Sequence, residues 1–293
     1  MALALAVNVR PIYLASVPPA LVLLVLGWSR RAWLPRLAVF ALGAGLVLAP
    51  QWLINRRHFG VNTPLVLSES KELDIHNLYL KQFKWGLLYR KYESSVGREL
   101  PTGQLIFLDV EGAAVVQAEQ MVRFEFMCQY LRTLARHPVF LVRGYAWHLF
   151  GGLDISHPRP YLRRRETSVW LPWLNYSLWF WAGLVVLSCR PRARQWVVLA
   201  AVLLPCLLVL PLIMEARFLL PLHLLLLALV AFGPVPVWLG HGRKWPLVAV
   251  AYGVFVLGCF ALSASVKQTV EPRFRPYLFP VPANTSSVAL NAG

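Results

Sequence analysis

The chain has 293 residues, of which 58% are hydrophobic and 14% charged, and its mean hydropathy is +0.55. An ordinary soluble domain carries about 25% charged residues, so this composition excludes that class and an integral membrane protein is expected. The net charge of +16 does not point to nucleic acid, because the basic residues are scattered through short loops and one long loop, with no aromatic-interleaved basic domain.

In chain order, Met1 to Val9 is apolar but lacks a basic leader and a small-residue cleavage site. It reads as the tail of an earlier helix, which implies a chain that begins partway through a larger architecture or a separately encoded half. Six apolar runs then have the length needed to cross about 30 Å of hydrocarbon: 11–28, 32–54, 169–189, 195–214, 218–239 and 245–266. Pro18, Pro19, Pro205, Pro211, Pro221 and Pro234 lie within or beside them. Proline is tolerated in membrane helices whose neighbours satisfy the freed carbonyls, so kinks around a cavity and simple packing bends both fit. Positive charge near span ends resists translocation, and Arg30, Arg31, Arg36, Arg190, Arg192, Arg194, Arg243 and Lys244 fall in alternate connections. Those connections belong inside; the segment 55–168, the joint at Glu215 and Arg217, and the tail from Lys267 belong outside.

The expected fold is an all-α integral membrane protein of about six transmembrane helices with a long extracytoplasmic segment containing amphipathic helices. Its divisions are 1–54 for the first two spans, 55–168 for the extracytoplasmic segment, 169–266 for a four-helix region and 267–293 for an outer tail. A structureless loop beyond about 15 residues is uncommon, and Ala113 to Arg136, free of Gly and Pro, has the pattern of one amphipathic helix. His137-Pro138 ends it, and Val139 to Phe150 resumes an apolar pattern that suits either the headgroup region or a cap over the bundle.

Between Arg194 and Arg243 only Glu215 and Arg217 are formally charged, and they sit at the joint of two apolar runs. An ionisable residue so placed costs several kcal/mol if it faces lipid, and so belongs at a membrane boundary or in a polar cavity. Arg217 is therefore a candidate anion contact, set against an ion pair with Glu215 or snorkelling. Cys128, Cys189, Cys206 and Cys259 have no CxxC or Cys/His ligand spacing, so neither a metal site nor a disulfide framework follows. No Gly-rich nucleotide loop is present in the sequence.

Four segments together resemble the C-terminal half of the polytopic lipid-linked-sugar glycosyltransferases of the GT-C superfamily, such as protein O-mannosyltransferases and the aminoarabinose transferase. They are Ala6-Val7-Asn8-Val9-Arg10-Pro11, the run Ala49-Pro50-Gln51-Trp52-Leu53-Ile54-Asn55-Arg56-Arg57-His58-Phe59-Gly60, Ala135-Arg136-His137-Pro138, and Glu215-Ala216-Arg217-Phe218-Leu219-Leu220-Pro221. Their order and spacing agree over nearly the whole chain. Departures are the transposed Asn55-Arg56, Phe218 where the family has Tyr, and the family's acidic catalytic loop, which has no counterpart here.

The resemblance implies transfer of a sugar from a polyprenyl-phosphate carrier to an acceptor at the outer face of a bacterial inner membrane, by a multi-pass protein. Its partners are membrane lipid, the polyprenyl-phosphate sugar and an N-terminal membrane partner or missing half, with no nucleic acid. No cofactor is implied beyond the donor lipid, and a divalent metal is left open. A phosphate leaving group gains charge in the transition state and calls for fixed cations, and arginine's planar fork suits it. Arg217, Arg10, Arg56 and Arg57 are the candidates, the last two also suiting plain headgroup contact. Glu215, His58 and Trp173 are candidate acceptor or sugar contacts; an aromatic belt also explains Trp170 and Trp173. His223 suits a polar cavity or an interhelical hydrogen bond. Glu69, Glu72, Asp74, Glu93, Asp109, Glu111 and Asp154 are outer carboxylates that no spacing distinguishes. Arg163 to Arg165 suit anionic headgroups, and Asn284-Thr285-Ser286 fits a glycosylation sequon. The alternative class is a non-catalytic membrane protein, a lipid-linked-sugar transporter or an assembly partner without the acidic loop.

Overall fold

A computed structural model describes residues 1–26, 33–67, 77–94, 104–121, 123–157, 168–188, 192–233 and 245–274. Arg30, Arg31, Glu69, Glu72, Asp74, Arg163 to Arg165, Cys189, Arg190, Pro234, Arg243, Lys244 and the Asn284 sequon lie outside the described residues.

The fold is overwhelmingly helical. Helix α1 (Ala2–Val9) ends at Arg10, whose backbone is extended, and Pro11 opens a 3-10 turn (Pro11–Ser16) that leads into α2 (Val17–Leu26). The long helix α3 (Trp33–Phe59) follows, ended by Gly60 at φ +67°, the left-handed conformation that glycine adopts without a Cβ penalty. After α8 (Trp170–Ser188) come α9 (Ala193–Val209), a short 3-10 turn (Ala216–Leu219), α10 (Leu220–Phe232) and α11 (Trp245–Gln268). Pro221 stands in the first turn of α10, where its missing N–H leaves no helix bond unmade.

Two of these helices, α3 and α11, are long and apolar enough to cross a membrane, and three shorter apolar helices lie at Pro11–Val25, Ala193–Val209 and Ala216–Phe232. Only 6% of the most apolar stretch of α3 is buried, and 22% of that of α11. Val39, Leu42 and Leu46 on α3, and Leu247, Val250, Val254 and Leu257 on α11, leave exposed apolar faces at helical spacing.

Between α3 and α8 the chain builds a cap. It comprises α4 (Leu78–Leu88), an antiparallel hairpin of β1 (Tyr89–Ser94) and β2 (Gln104–Leu108), α5 (Val110–Ala118), α6 (Met127–Arg136) and α7 (Pro138–Leu153). Asn77 and Asp109 cap α4 and α5, each accepting two backbone N–H groups at 3.0 to 3.3 Å. The hairpin is an addition to the all-helical expectation.

The single helix expected from Ala113 to Arg136 is corrected to two. Gln120 takes φ +47°, Phe124 turns into a cluster with Leu80, Leu87 and Tyr130, and the Gln129 side chain accepts from the backbone of Glu125 and Phe126 to start α6 afresh. The resumed apolar piece is α7, as expected, with Pro138 in its first turn.

The cap sits on one end of the helices. The stretch after α11 pairs with β2, Leu108 N–H donating to Thr269 O at 2.8 Å and Glu271 N–H to Ile106 O at 2.9 Å. Asn175, near the start of α8, donates to Leu153 O at 2.7 Å. The α9–α10 joint meets β1, where Tyr92 N–H donates to Met214 O at 2.9 Å. These are the connections whose sequence assigns them to a common side.

Candidate functional site

The joint between α9 and α10 is threaded through the cap. A Cβ on Gly86 of α4 would run into the Pro211 carbonyl, and one on Gly152 of α7 would stand 2.6 Å from both Met214 Sδ and Leu219 Cδ1. Hydrogen at these two positions is therefore what lets the joint lie against α4 and α7. His148, buried on α7, fixes the joint to the strand: Nδ1 faces Leu210 O at 2.5 Å and Nε2 faces Tyr89 O at 3.0 Å. Burial pulls its pKa below the ordinary range against the opposing pull of these carbonyls. The neutral ring has one N–H and serves one carbonyl at a time.

Against this joint lies a cleft of about 320 Å³, lined by Val9, Arg10, Pro11, Ile12, Val66, Leu67, Leu78, Tyr79, Gln82, Tyr92, Val209, Leu212, Arg217 and Phe218. Its size is at the lower end of small-ligand pockets, roughly 300 to 1,000 Å³. Two of the four candidate arginines, Arg10 and Arg217, come together here from distant parts of the chain. Both rest on Phe218, the guanidinium carbons standing 4.7 Å (Arg10) and 5.7 Å (Arg217) from the ring centroid. Cations over an aromatic face gain about 0.5 to 2 kcal/mol, more where desolvated.

Glu215 is 5% exposed and its carboxylate accepts from Arg217 Nε. The ion pair weighed against a functional Arg217 is thus present, and Arg217 lines the cleft at the same time. Tyr92 interacts with both members; burial first, then Glu215, push its pKa up to about 12 against the pull of Arg217. The phenol therefore stays neutral at ordinary pH.

Arg56, Arg57 and His58 are exposed in the last turn of α3 and do not line the cleft. Arg56 lies over the Trp52 ring at 5.5 Å. The side chain of this motif that turns inward is Asn55, fully buried, whose amide donates to Thr63 O at 2.7 Å and Leu65 O at 2.8 Å. It fastens the return that brings Val66 and Leu67 into the cleft wall. Trp173 packs edge-on to Trp170 at 5.9 Å, away from the cleft lining. His223 makes the interhelical hydrogen bond, Nε2 to Gly152 O at 3.3 Å.

A second polar cluster lies across β1. Strand side chains alternate, so Tyr92 faces the cleft while Lys91 and Glu93 face the end of α7. Lys91 is 3% exposed; its ammonium donates to Asp154 O at 2.9 Å and stands 3.1 Å from Glu93 and 3.6 Å from the Asp154 carboxylate. Burial presses the Lys91 pKa down, but Asp154 and Glu93 outweigh it and hold it above the ordinary 10.5. Asp154 also accepts from Tyr176 on α8 at 2.7 Å and Ser263 on α11 at 2.9 Å, and His157 stands 3.2 Å from Glu93.

Of the carboxylates that spacing left undistinguished, the four among the described residues are thereby sorted. Glu93 and Asp154 belong to this cluster, Asp109 caps α5 near Arg90 at 3.5 Å, and Glu111 pairs with Arg143. Among the described residues none of them lines the cleft, and no three His, Cys, Asp or Glu side chains gather as a metal ion requires. Sequence reasoning missed Tyr79, Gln82, Lys91 and Tyr92. The available signals were the Asn77 cap before an apolar helix and the alternation of Tyr89-Arg90-Lys91-Tyr92-Glu93-Ser94. No protein-family model, curated protein or solved structure matches this chain.

Proposed function

We propose that this is a multi-pass membrane protein of the GT-C glycosyltransferase lineage, the enzyme or its carrier-binding half. It holds a polyprenyl-phosphate sugar in the cleft at the outer face of a bacterial inner membrane. The carrying observation is the convergence of Arg10 and Arg217 on one ring in a cleft whose other walls are largely apolar. Paired guanidiniums suit a phosphate, and Val9, Pro11, Ile12, Val66, Leu67 and Leu212 suit the hydrocarbon beside it. The exposed apolar faces of α3 and α11 support a six-span body, with α2, α8, α9 and α10 completing it.

In this reading Arg10 and Arg217 offset the charge that grows on the departing phosphate, in a site partly screened from water. Glu215, buried beneath Arg217, fixes its guanidinium. Arg217→Ala also strands the buried Glu215, so the cleaner test is Arg10→Ala, which leaves that pair intact. It is expected to abolish transfer from a polyprenyl-phosphate sugar in membranes holding the protein, with insertion and accumulation unchanged, and full transfer by both variants would remove the phosphate role.

The absence of a carboxylate from the cleft lining, among the described residues, favours one second reading. In it the chain binds or moves the lipid-linked sugar without cleaving it. Supplying purified polyprenyl-phosphate sugar and assaying free carrier phosphate separates the two, since a transporter leaves the lipid intact.

A further inference from the structure

The same cleft that Arg10 and Arg217 line is also walled by the first turns of α4, which contribute Leu78, Tyr79 and Gln82. The side chains of Tyr79 and Gln82 have no hydrogen-bond partner among the described residues, although both are partly buried. Burial holds the Tyr79 pKa above 10.0, so its hydroxyl stays a neutral donor and acceptor. A glutamine amide offers two donors and an acceptor. Neutral hydroxyl and amide groups are the complement of a ring bearing several hydroxyls, and they cannot compete with guanidinium for phosphate. The Asn77 cap, accepting from Tyr79 N and Leu80 N, fixes where α4 begins and so sets both side chains on a rigid element.

Resting on the carrier-site reading above, we propose that Tyr79 and Gln82 form the sugar-recognition wall of the cleft, hydrogen-bonding hydroxyls of a pyranosyl group attached to the phosphate that Arg10 and Arg217 hold. One neutral hydrogen bond is worth about 0.5 to 1.5 kcal/mol, or about 2- to 12-fold in affinity.

The test uses the full chain in detergent, with tryptophan fluorescence reporting binding. The probes are dodecyl phosphate, a panel of dodecyl glycosyl phosphates differing in sugar, and a short-chain phosphatidylinositol. At least one glycosyl phosphate is expected to bind more tightly than dodecyl phosphate. Tyr79→Phe and Gln82→Ala are each expected to reduce that ratio by about 2- to 12-fold. Both affinities in the ratio come from the same variant, so a loss of folded protein does not imitate the result.

Three outcomes overturn the proposal while leaving the carrier site standing. They are a ratio of one for every sugar, a ratio above one that neither variant changes, and a preference for phosphatidylinositol over every glycosyl phosphate. Failure of the native protein to bind dodecyl phosphate or any glycosyl phosphate removes the carrier-site reading itself, and this proposal with it.

Discussion

Lys91 faces two carboxylates and a carbonyl from a position only 3% exposed, so replacing it leaves Asp154 and Glu93 buried without a counter-charge. Breaking such a pair from one side costs about 3 to 5 kcal/mol. Lys91→Met is expected to lower the apparent unfolding temperature in detergent far more than Lys81→Met, whose ammonium lies over Trp85 on an exposed residue. The pH dependence follows from two raised pKa values. A group held protonated more tightly in the folded state contributes fully below its unfolded pKa and loses that contribution as pH rises through the folded one. For Lys91 the loss begins above 10.5, and for Tyr92 it spans about 10.0 to 12. From these two groups stability is level below pH 10 and declines above it, and Tyr92→Phe shallows that decline; thermal scans from pH 8 to pH 12 check both. The pairing of Arg217 with Glu215 was legible in the sequence because a lone charge pair inside a long apolar run has few places to go. Lys91 was not, because only Glu93 is near it in sequence, while Asp154, which accepts from its ammonium and ties it to α8 and α11, lies 63 residues away and spacing carries no trace of it.

At the scale of elements, helix positions were largely legible, since apolar runs and proline at first turns are local signals. The hairpin was not: β1 gains part of its pairing from Met214, and β2 from the stretch around Val270, both remote in sequence. The break between α5 and α6 was also hidden, because it depends on Phe124 finding a cluster of residues from α4 and α6. Close approach of elements makes its own prediction. Alanine at Gly86 drives a methyl into the Pro211 carbonyl and within 2.9 Å of Leu212 C, both backbone atoms of the joint that carries Arg217. Overpacking of this kind costs about 1 to 3 kcal/mol. Gly86→Ala is expected to destabilise by that amount and to weaken dodecyl phosphate binding as the joint shifts. Gly45→Ala on α3 meets nothing within 4 Å and is expected to leave both measurements at or above native values. Equal effects of the two substitutions would remove the proposed link between the α4 contact and the cleft.

For the whole molecule, the cap gathers on one end of the helices, and that is the end to which the distribution of arginine assigns the outer face. Cys128 on α6 is exposed in the cap, whereas Cys206 and Cys259 are buried. In a Cys189→Ser background, a membrane-impermeant maleimide is expected to label Cys128 on intact spheroplasts. A cysteine placed at exposed Arg194, at the opposite end of α9 from the joint, is expected to react only after lysis. The reverse pattern would invert the topology and take the cleft away from an outer-leaflet donor. The helical class was legible because apolar periodicity is summed over many residues. The meeting of Arg10 with Arg217 was only half legible: the sequence set four arginines near one boundary but could not say that Asn55, turning inward, would leave Arg56 and Arg57 outside.

The alternation along β1 ties two otherwise separate places to one thin partition. Slipping the strand by a single residue exchanges its faces, which would push an ammonium into the cleft and a phenol among buried carboxylates. The ladder is regular from Lys91 to Ser94, with its one irregularity between Tyr89 and Lys91, so a one-residue insertion between Lys91 and Tyr92 would disturb the cleft wall and the anchorage to α8 and α11 at a stroke.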